Sequence, residues 1–78
     1  MNKTFGQTLK ELRKENKMTL QELAFRSGLS IMTLSNWEND KYKPRQLSAL
    51  SLKYPLMCDI KFVGKEVYLI RKENKYGN

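Results

Sequence analysis

Apolar residues recur with helical spacing over most of this chain and with strand spacing near its end. Between Thr4 and Asn16, Phe5, Leu9 and Leu12 stand at i, i+4 and i+7, with Lys10, Glu11, Lys14 and Glu15 around the other faces. That predicts an amphipathic helix over about 4–16. Thr4-Phe5-Gly6-Gln7 fits a capping box, in which the Thr side chain accepts from a free amide and the Gln reaches back; Gly6 weakens the first turn slightly. Thr19-Leu20-Gln21-Glu22 fits a second box, with Met18 and Leu23 in hydrophobic-staple positions. The second helix, 20–27, turns Leu20, Leu23 and Ala24 inward and closes at Gly28, a residue free to adopt the left-handed conformation. Ser30 then caps a third helix, 31–39, with Leu29 and Leu34 as its staple. So short a connection predicts two helices crossing at roughly 90 to 120°.

At 100° per residue the third helix divides sharply. Leu34, Trp37 and Glu38 cluster on one side; Met32, Ser35, Asn36 and Asn39 fall on the other, with Ile31 and Thr33 at the rims. On a chain in which 29% of residues are charged, a surface of small neutral hydrogen-bonding groups and one Met reads as a recognition face. Asp40-Lys41-Tyr42-Lys43-Pro44-Arg45 follows as a basic turn, and Pro44 can open a fourth helix, about 45–54. Leu47, Leu50 and Tyr54 form its predicted inward stripe, with Ala49 and Leu52 beside them, and Pro55 ends it.

The period then changes to two. Asp59 to Val63 and Glu66 to Ile70 flank Gly64-Lys65, the signature of a type II′ hairpin, here placed at 58–71. That register pairs Phe62 with Val67 and Ile60 with Leu69 on one face, and Lys61 with Tyr68 and Val63 with Glu66 on the other. Residues 72–78, KENKYGN, form a polar tail. The predicted fold is therefore mainly α, four short helices plus a C-terminal β-hairpin in one small α+β domain, with residues 1–57 as the helical part.

Composition narrows the function. Seventy-eight residues make one small domain, and fifteen Lys and Arg against eight Asp and Glu give +7. Residues 1–58 carry ten basic and five acidic groups, the remainder five and three, so the excess lies mainly with the helices. No His and one Cys exclude an all-His/Cys zinc site and any Ser-His or Cys-His nucleophilic pair. The carboxylates form no metal-loop pattern, and no Gly-rich phosphate loop occurs. The expectation is a chain that is not an enzyme, with no metal, cofactor or small-molecule substrate. It begins without a signal peptide's apolar stretch and has no run of 18 apolar residues, which predicts a cytoplasmic protein without a membrane partner, Cys58 being a packed thiol.

The stretch from Thr19 to Pro44, TLQELAFRSGLSIMTLSNWENDKYKP, resembles the helix-turn-helix of the phage repressor and Cro-like (XRE-type) DNA-binding proteins. The resemblance rests on Leu23-Ala24, Gly28 in the turn, Ser30 as cap, Leu34, Trp37-Glu38 and the exit from Lys41 to Pro44, and with the first helix it covers roughly residues 4 to 54. It implies a lambda repressor-like fold, double-stranded DNA as partner and a homodimer. It places Ile31, Met32, Thr33 and Asn36 at base edges, and Thr19, Gln21, Ser30, Lys41, Lys43 and Arg45 at phosphates. Physical chemistry fits the first group: Asn can pair bidentately with adenine, Thr can donate or accept, and Ile or Met can meet a thymine methyl. The resemblance further implies an ion pair between Arg13 and Glu38. Leu20 departs from the family, which commonly has Gln there; in this chain Gln21 comes next. The apparent hairpin is more like the strand-bearing Cro proteins.

The apolar hairpin face, Ile60, Phe62, Val67 and Leu69, leaves three uses open. It can close the protomer's own core, join two protomers, or serve an adaptor of antitoxin or antirepressor type that binds another protein.

Overall fold

The computed structural model describes residues 3–72. Four helices, α1 (Phe5–Glu15), α2 (Leu20–Ser27), α3 (Ile31–Glu38) and α4 (Gln46–Ala49), are followed by a 3-10 turn, Leu50–Leu52, and an antiparallel pair, β1 (Cys58–Val63) and β2 (Glu66–Arg71). The last six residues of the predicted polar tail lie outside the described residues. Among the described residues no helix is long and apolar enough to cross a membrane.

The predicted caps form. Thr4 accepts from the Gln7 amide at 3.1 Å while Gln7 Oε1 accepts from the Thr4 amide at 2.9 Å, and Ser30 accepts from the Thr33 amide at 3.0 Å. The second box is only half made. Thr19 accepts from the Glu22 amide at 3.0 Å, but the Glu22 carboxylate pairs with Arg26 one turn on instead of reaching back. Gly28 closes α2 in the left-handed conformation, φ 77°.

Three other closures carry no glycine. Lys17, Asp40 and Met57 all take positive φ, at 58°, 56° and 51°. In each case the next amide reaches back five residues: Met18 to the Arg13 carbonyl, Lys41 to Asn36, Cys58 to Lys53. These are Schellman-type endings, which satisfy carbonyls a helix leaves unpaired. A side chain in the left-handed region costs roughly 1–2 kcal/mol, so the surrounding contacts must outweigh that cost.

The fourth helix differs from expectation. Arg45 is its N-cap, so Pro44 lies outside it, and regular α-helix ends at Ala49, well before Pro55. The predicted stripe is reversed as well: Leu47, Leu50 and Tyr54 face solvent, whereas Ala49, Leu52 and Leu56 are buried. Ala49 and Leu52 stand three apart, and 3-10 winding superimposes residues at that spacing, which turns both inward.

The core draws on α1, α2, α3, the 3-10 turn and both strands. Leu9 and Leu12 of α1, Met18, Leu23 and Ala24, Leu34 and Trp37 of α3, Leu52, Leu56, Cys58 and Leu69 form one cluster, with Phe5, Leu20, Leu29 and Ile60 against it. The hairpin has the predicted register throughout, Ile60 facing Leu69 and Phe62 facing Val67. Gly64 takes φ 60° and Lys65 does not share a positive φ, as a type II′ turn requires. Val67 and Leu69 are buried in the chain's own interior; on that face Phe62 is exposed. Of the three uses left open, the first accounts for Val67, Leu69 and Ile60. Cys58 is fully buried, and burial pushes its thiol pKa up, consistent with a packed, unreactive residue.

Candidate nucleic-acid interface

The helix-turn-helix is held from behind by α1. Arg13 Nε donates to Glu38 Oε2 at 2.6 Å and its Nη2 to Oε1 at 3.1 Å, a two-pronged pair whose side chains are 11% and 6% exposed. The third nitrogen, Nη1, donates to the Met18 carbonyl at 2.8 Å, so one guanidinium fixes both the end of α3 and the approach to α2. The ring of Phe5 meets Trp37 edge-on, centroids 6.0 Å apart.

A second attachment involves Asp40, in the left-handed residue after α3. Its Oδ1 accepts from the Gly6 amide at 3.0 Å and its Oδ2 from the Thr4 hydroxyl at 2.6 Å. The carboxylate therefore sits at the N-terminus of α1, where free amides and the helix dipole favour negative charge. Contact is so close that a Cβ on Gly6 would stand 2.4 Å from the Trp37 carbonyl oxygen and 2.6 Å from that of Glu38. Gly6 weakens the helix locally, but this tertiary approach excludes a larger residue.

These contacts hold the C-terminal end of α3, while Leu34 packs inward and the other side of the helix, from Ile31 to Asn36, is left outward. Met32 is 73% exposed, Ile31 is exposed, and Thr33 and Asn36 are half-buried. Asn36 follows Met32 by four residues and Thr33 by three, so the three share one surface. The Asn36 carboxamide has no hydrogen-bond partner among the described residues, whereas Asn39 spends its amide on the Ser35 carbonyl at 2.9 Å. Ser30 is partly committed, donating its hydroxyl to Thr33 Oγ1 at 2.9 Å, which leaves the Thr33 hydroxyl proton free. Thr19 and Gln21 are exposed at the start of α2.

The basic turn continues this surface. Lys41, Tyr42, Lys43 and Arg45 are exposed, with Pro44 buried between them. Lys43 Nζ contacts Glu66 Oε2 of β2 at 3.0 Å; among the described residues Lys41 and Arg45 form no ion pair. The sequence alone did not reveal Asp40, Glu66 or Gln46, whose Nε2 donates to the Gly64 carbonyl at 2.8 Å. An acidic residue suited to left-handed backbone just after a helix was the one signal pointing to Asp40.

A family model described as helix-turn-helix matches residues 9–52. The chain belongs to the helix-turn-helix family. Two curated relatives come from Bacillus and one of its phages. The uncharacterized HTH-type transcriptional regulator RghRB of Bacillus subtilis (strain 168) is 45% identical over 56 residues, 65% of this chain and 40% of the relative. The immunity repressor protein of Bacillus phage phi105 is 33% identical over 70 residues, 90% of this chain and 49% of the relative. This helix-turn-helix chain thus spans less than half the length of either. Among solved structures it is similar to the P22 c2 repressor protein in complex with a synthetic operator: TM-score 0.69, 26% identity, 74% of this chain and 88% of that one. It is also similar to the biofilm master regulator SinR in complex with DNA: TM-score 0.66, 29% identity, 69% and 87%. Both are lambda-repressor-like DNA-binding folds, and this chain shares that fold.

Proposed function

We propose that this chain is a sequence-specific double-stranded DNA-binding transcription regulator, a repressor of phage or mobile-element type acting as a homodimer. The observation that carries this reading is the arrangement of α3. It is anchored at its C-terminal end and presents Ile31, Met32, Thr33 and Asn36 as an uncharged outward surface bordered by Lys41, Lys43 and Arg45. Uncharged groups of this kind discriminate bases in the major groove, while flanking cations hold the phosphates. The free amides at the start of α2 can hold a further phosphate beside Thr19 and Gln21, despite Leu20. The relatives named as repressor and regulator, and the similar proteins solved on DNA, support the same reading.

The two protomers meet on the largely apolar surface of α4 and the turns after it, where Lys53 Nζ stands 5.9 Å from the Tyr54 ring centroid. Leu47, Leu50, Tyr54 and Met57 are exposed there, Leu47 and Tyr54 at 80% and 82%. From Gln46 to Met57 the one charged residue is Lys53. A two-fold interface apposes a patch to itself, so a charge there would tend to meet its like; this patch largely avoids that. The four side chains offer on the order of 500 Å² of the roughly 800 Å² that each partner of a standard interface buries. Burial of Val67 and Leu69 removes most of the surface an adaptor would have used on the hairpin.

Selection from a random duplex pool tests the whole reading. It should enrich a near-palindromic site with half-sites roughly 34 Å apart. With four phosphates neutralised per protomer, the log-log salt slope should be about −7. No enrichment together with a flat salt dependence would refute the proposal. Enrichment by a chain that sediments as a monomer on and off DNA would refute the dimer alone.

A further inference from the structure

We propose that the hairpin turn belongs to the DNA-binding surface and that Lys65, at its tip, contacts a backbone phosphate beyond those held by the helix-turn-helix. The proposal rests on the DNA-binding reading above but concerns a segment outside residues 9–52, the part that the family match covers.

Two side chains hold the turn against the segment leaving α3. Gln46 Nε2 donates to the Gly64 carbonyl at 2.8 Å, and Lys43 Nζ pairs with Glu66 at 3.0 Å. They reach the turn from either side of the buried Pro44 and grip both residues that flank Lys65. Lys65 consequently borders two grooves. One of about 530 Å³ is shared with Arg45, Gln46 and Gly64; the other, of about 370 Å³, with Tyr42 and Lys43. The hairpin lysine thus stands beside both Lys43 and Arg45, although some twenty residues separate them in the chain.

Charge gives this neighbourhood its meaning. Lys3, Lys43, Arg45 and Lys65 line these two grooves against the carboxylates of Asp40 and Glu66, which leaves a local excess of two. Glu66 faces Lys43, while Lys65 has no ion pair among the described residues. A duplex strand carries one phosphate about every 3.4 Å along its axis, so cations grouped on one edge engage successive phosphates and release counterions. Because its backbone is already held, Lys65 would lose little beyond its own side-chain freedom on binding. A lysine kept only for solubility would have no need of a turn tied down at both ends.

The test compares the parent chain with Lys65→Gln, and with Lys61→Gln as a control from β1 of the same hairpin, a lysine that lines neither groove. Affinity is titrated against the preferred duplex and an unrelated duplex from low to high salt. Lys65→Gln should weaken both duplexes by the same factor and make the salt slope less steep by about one per bound protomer, with an unchanged melting midpoint. Lys61→Gln should leave the slope unchanged. A steep wild-type slope that Lys65→Gln does not alter would overturn the proposal while sparing the DNA-binding reading. Equal slope changes in both variants would also overturn it, by showing an effect of net charge instead of a site. A wild-type chain with no salt-dependent duplex binding would remove both readings together.

Discussion

Asp40 caps the helix that begins with Phe5: its carboxylate accepts from the Gly6 amide at 3.0 Å across thirty-four residues of sequence. The same contact brings Gly6 against the last carbonyls of α3, where a Cβ would meet Trp37 O at 2.4 Å. Two backbone segments therefore touch where one residue has no side chain and another supplies the charge.

Gly6→Ala is accordingly expected to destabilise. Inside a free helix the substitution would gain about 1 kcal/mol. Here overpacking against backbone should cost roughly 1–3 kcal/mol and displace α3 relative to α1. Urea denaturation decides the sign: a more stable variant would mean that the close approach is not maintained in solution.

The Arg13–Glu38 pair should behave as a nearly buried one. Removing either partner leaves an unpaired charge, which typically costs about 3–5 kcal/mol, a large share of the roughly 5–15 kcal/mol that holds a domain together. Exposure of 11% for Arg13 puts the loss toward the lower end of that range. Replacing both with apolar residues of similar volume, Arg13→Met with Glu38→Leu, should recover much of it. A double-mutant cycle followed by denaturant unfolding reads the coupling, and additive losses would show that the two groups act independently.

Base reading and phosphate holding should separate by mutation. Asn36→Ala is expected to cost about 1–3 kcal/mol on the preferred site and to relax discrimination at one base pair. Lys43→Ala should weaken every duplex alike and lower the salt slope by about one. Because Glu66 already pairs with Lys43, Glu66→Gln should free that cation and tighten binding to all duplexes without changing preference. Competition titrations on matched and mismatched duplexes check all three; a uniform loss for Asn36→Ala would exclude it as a reader.

The hairpin's far end provides a pH signature. Arg71 Nε donates to Glu15 Oε1 at 3.0 Å and its Nη2 to Oε2, and this hydrogen bonding holds the Glu15 carboxyl below its ordinary value of 4.5. Since the folded value lies below the unfolded one, the contribution is full above the unfolded value and fades as pH falls through the folded one. In Arg71→Met, NMR titration should find Glu15 close to its ordinary value, with a smaller loss of stability on acidification than in the parent chain. An unmoved Glu15 titration would show that the contact does not persist in solution. The pair is exposed, so the effect should also shrink with added salt.

Local chemistry made much of the fold legible. The Thr4, Thr19 and Ser30 caps, the Gly28 closure, the inward Leu34 and Trp37, and the entire hairpin register follow from interactions over a few residues or from strict alternation. The fourth helix departs from expectation because Leu47, Leu50 and Tyr54 have helical spacing and apolar character, yet spacing does not say which of two apolar stripes faces the core. Nor did any glycine mark the closures at Lys17, Asp40 and Met57. In those places tertiary contacts outweigh the local preference.

At the candidate interface, helical period with Leu34 and Trp37 turned inward is enough to place the residues on the outward side of α3. Long-range packing is what makes Arg13, Gly6 and Asp40 hold the far end of that helix and sets Glu66 against Lys43. It also assigned Val67 and Leu69 to the protomer's own core and brought Lys65 beside Lys43 and Arg45. The reason is physical: periodicity fixes direction around one element's own axis, whereas contacts between residues far apart in the chain depend on how all the elements pack at once.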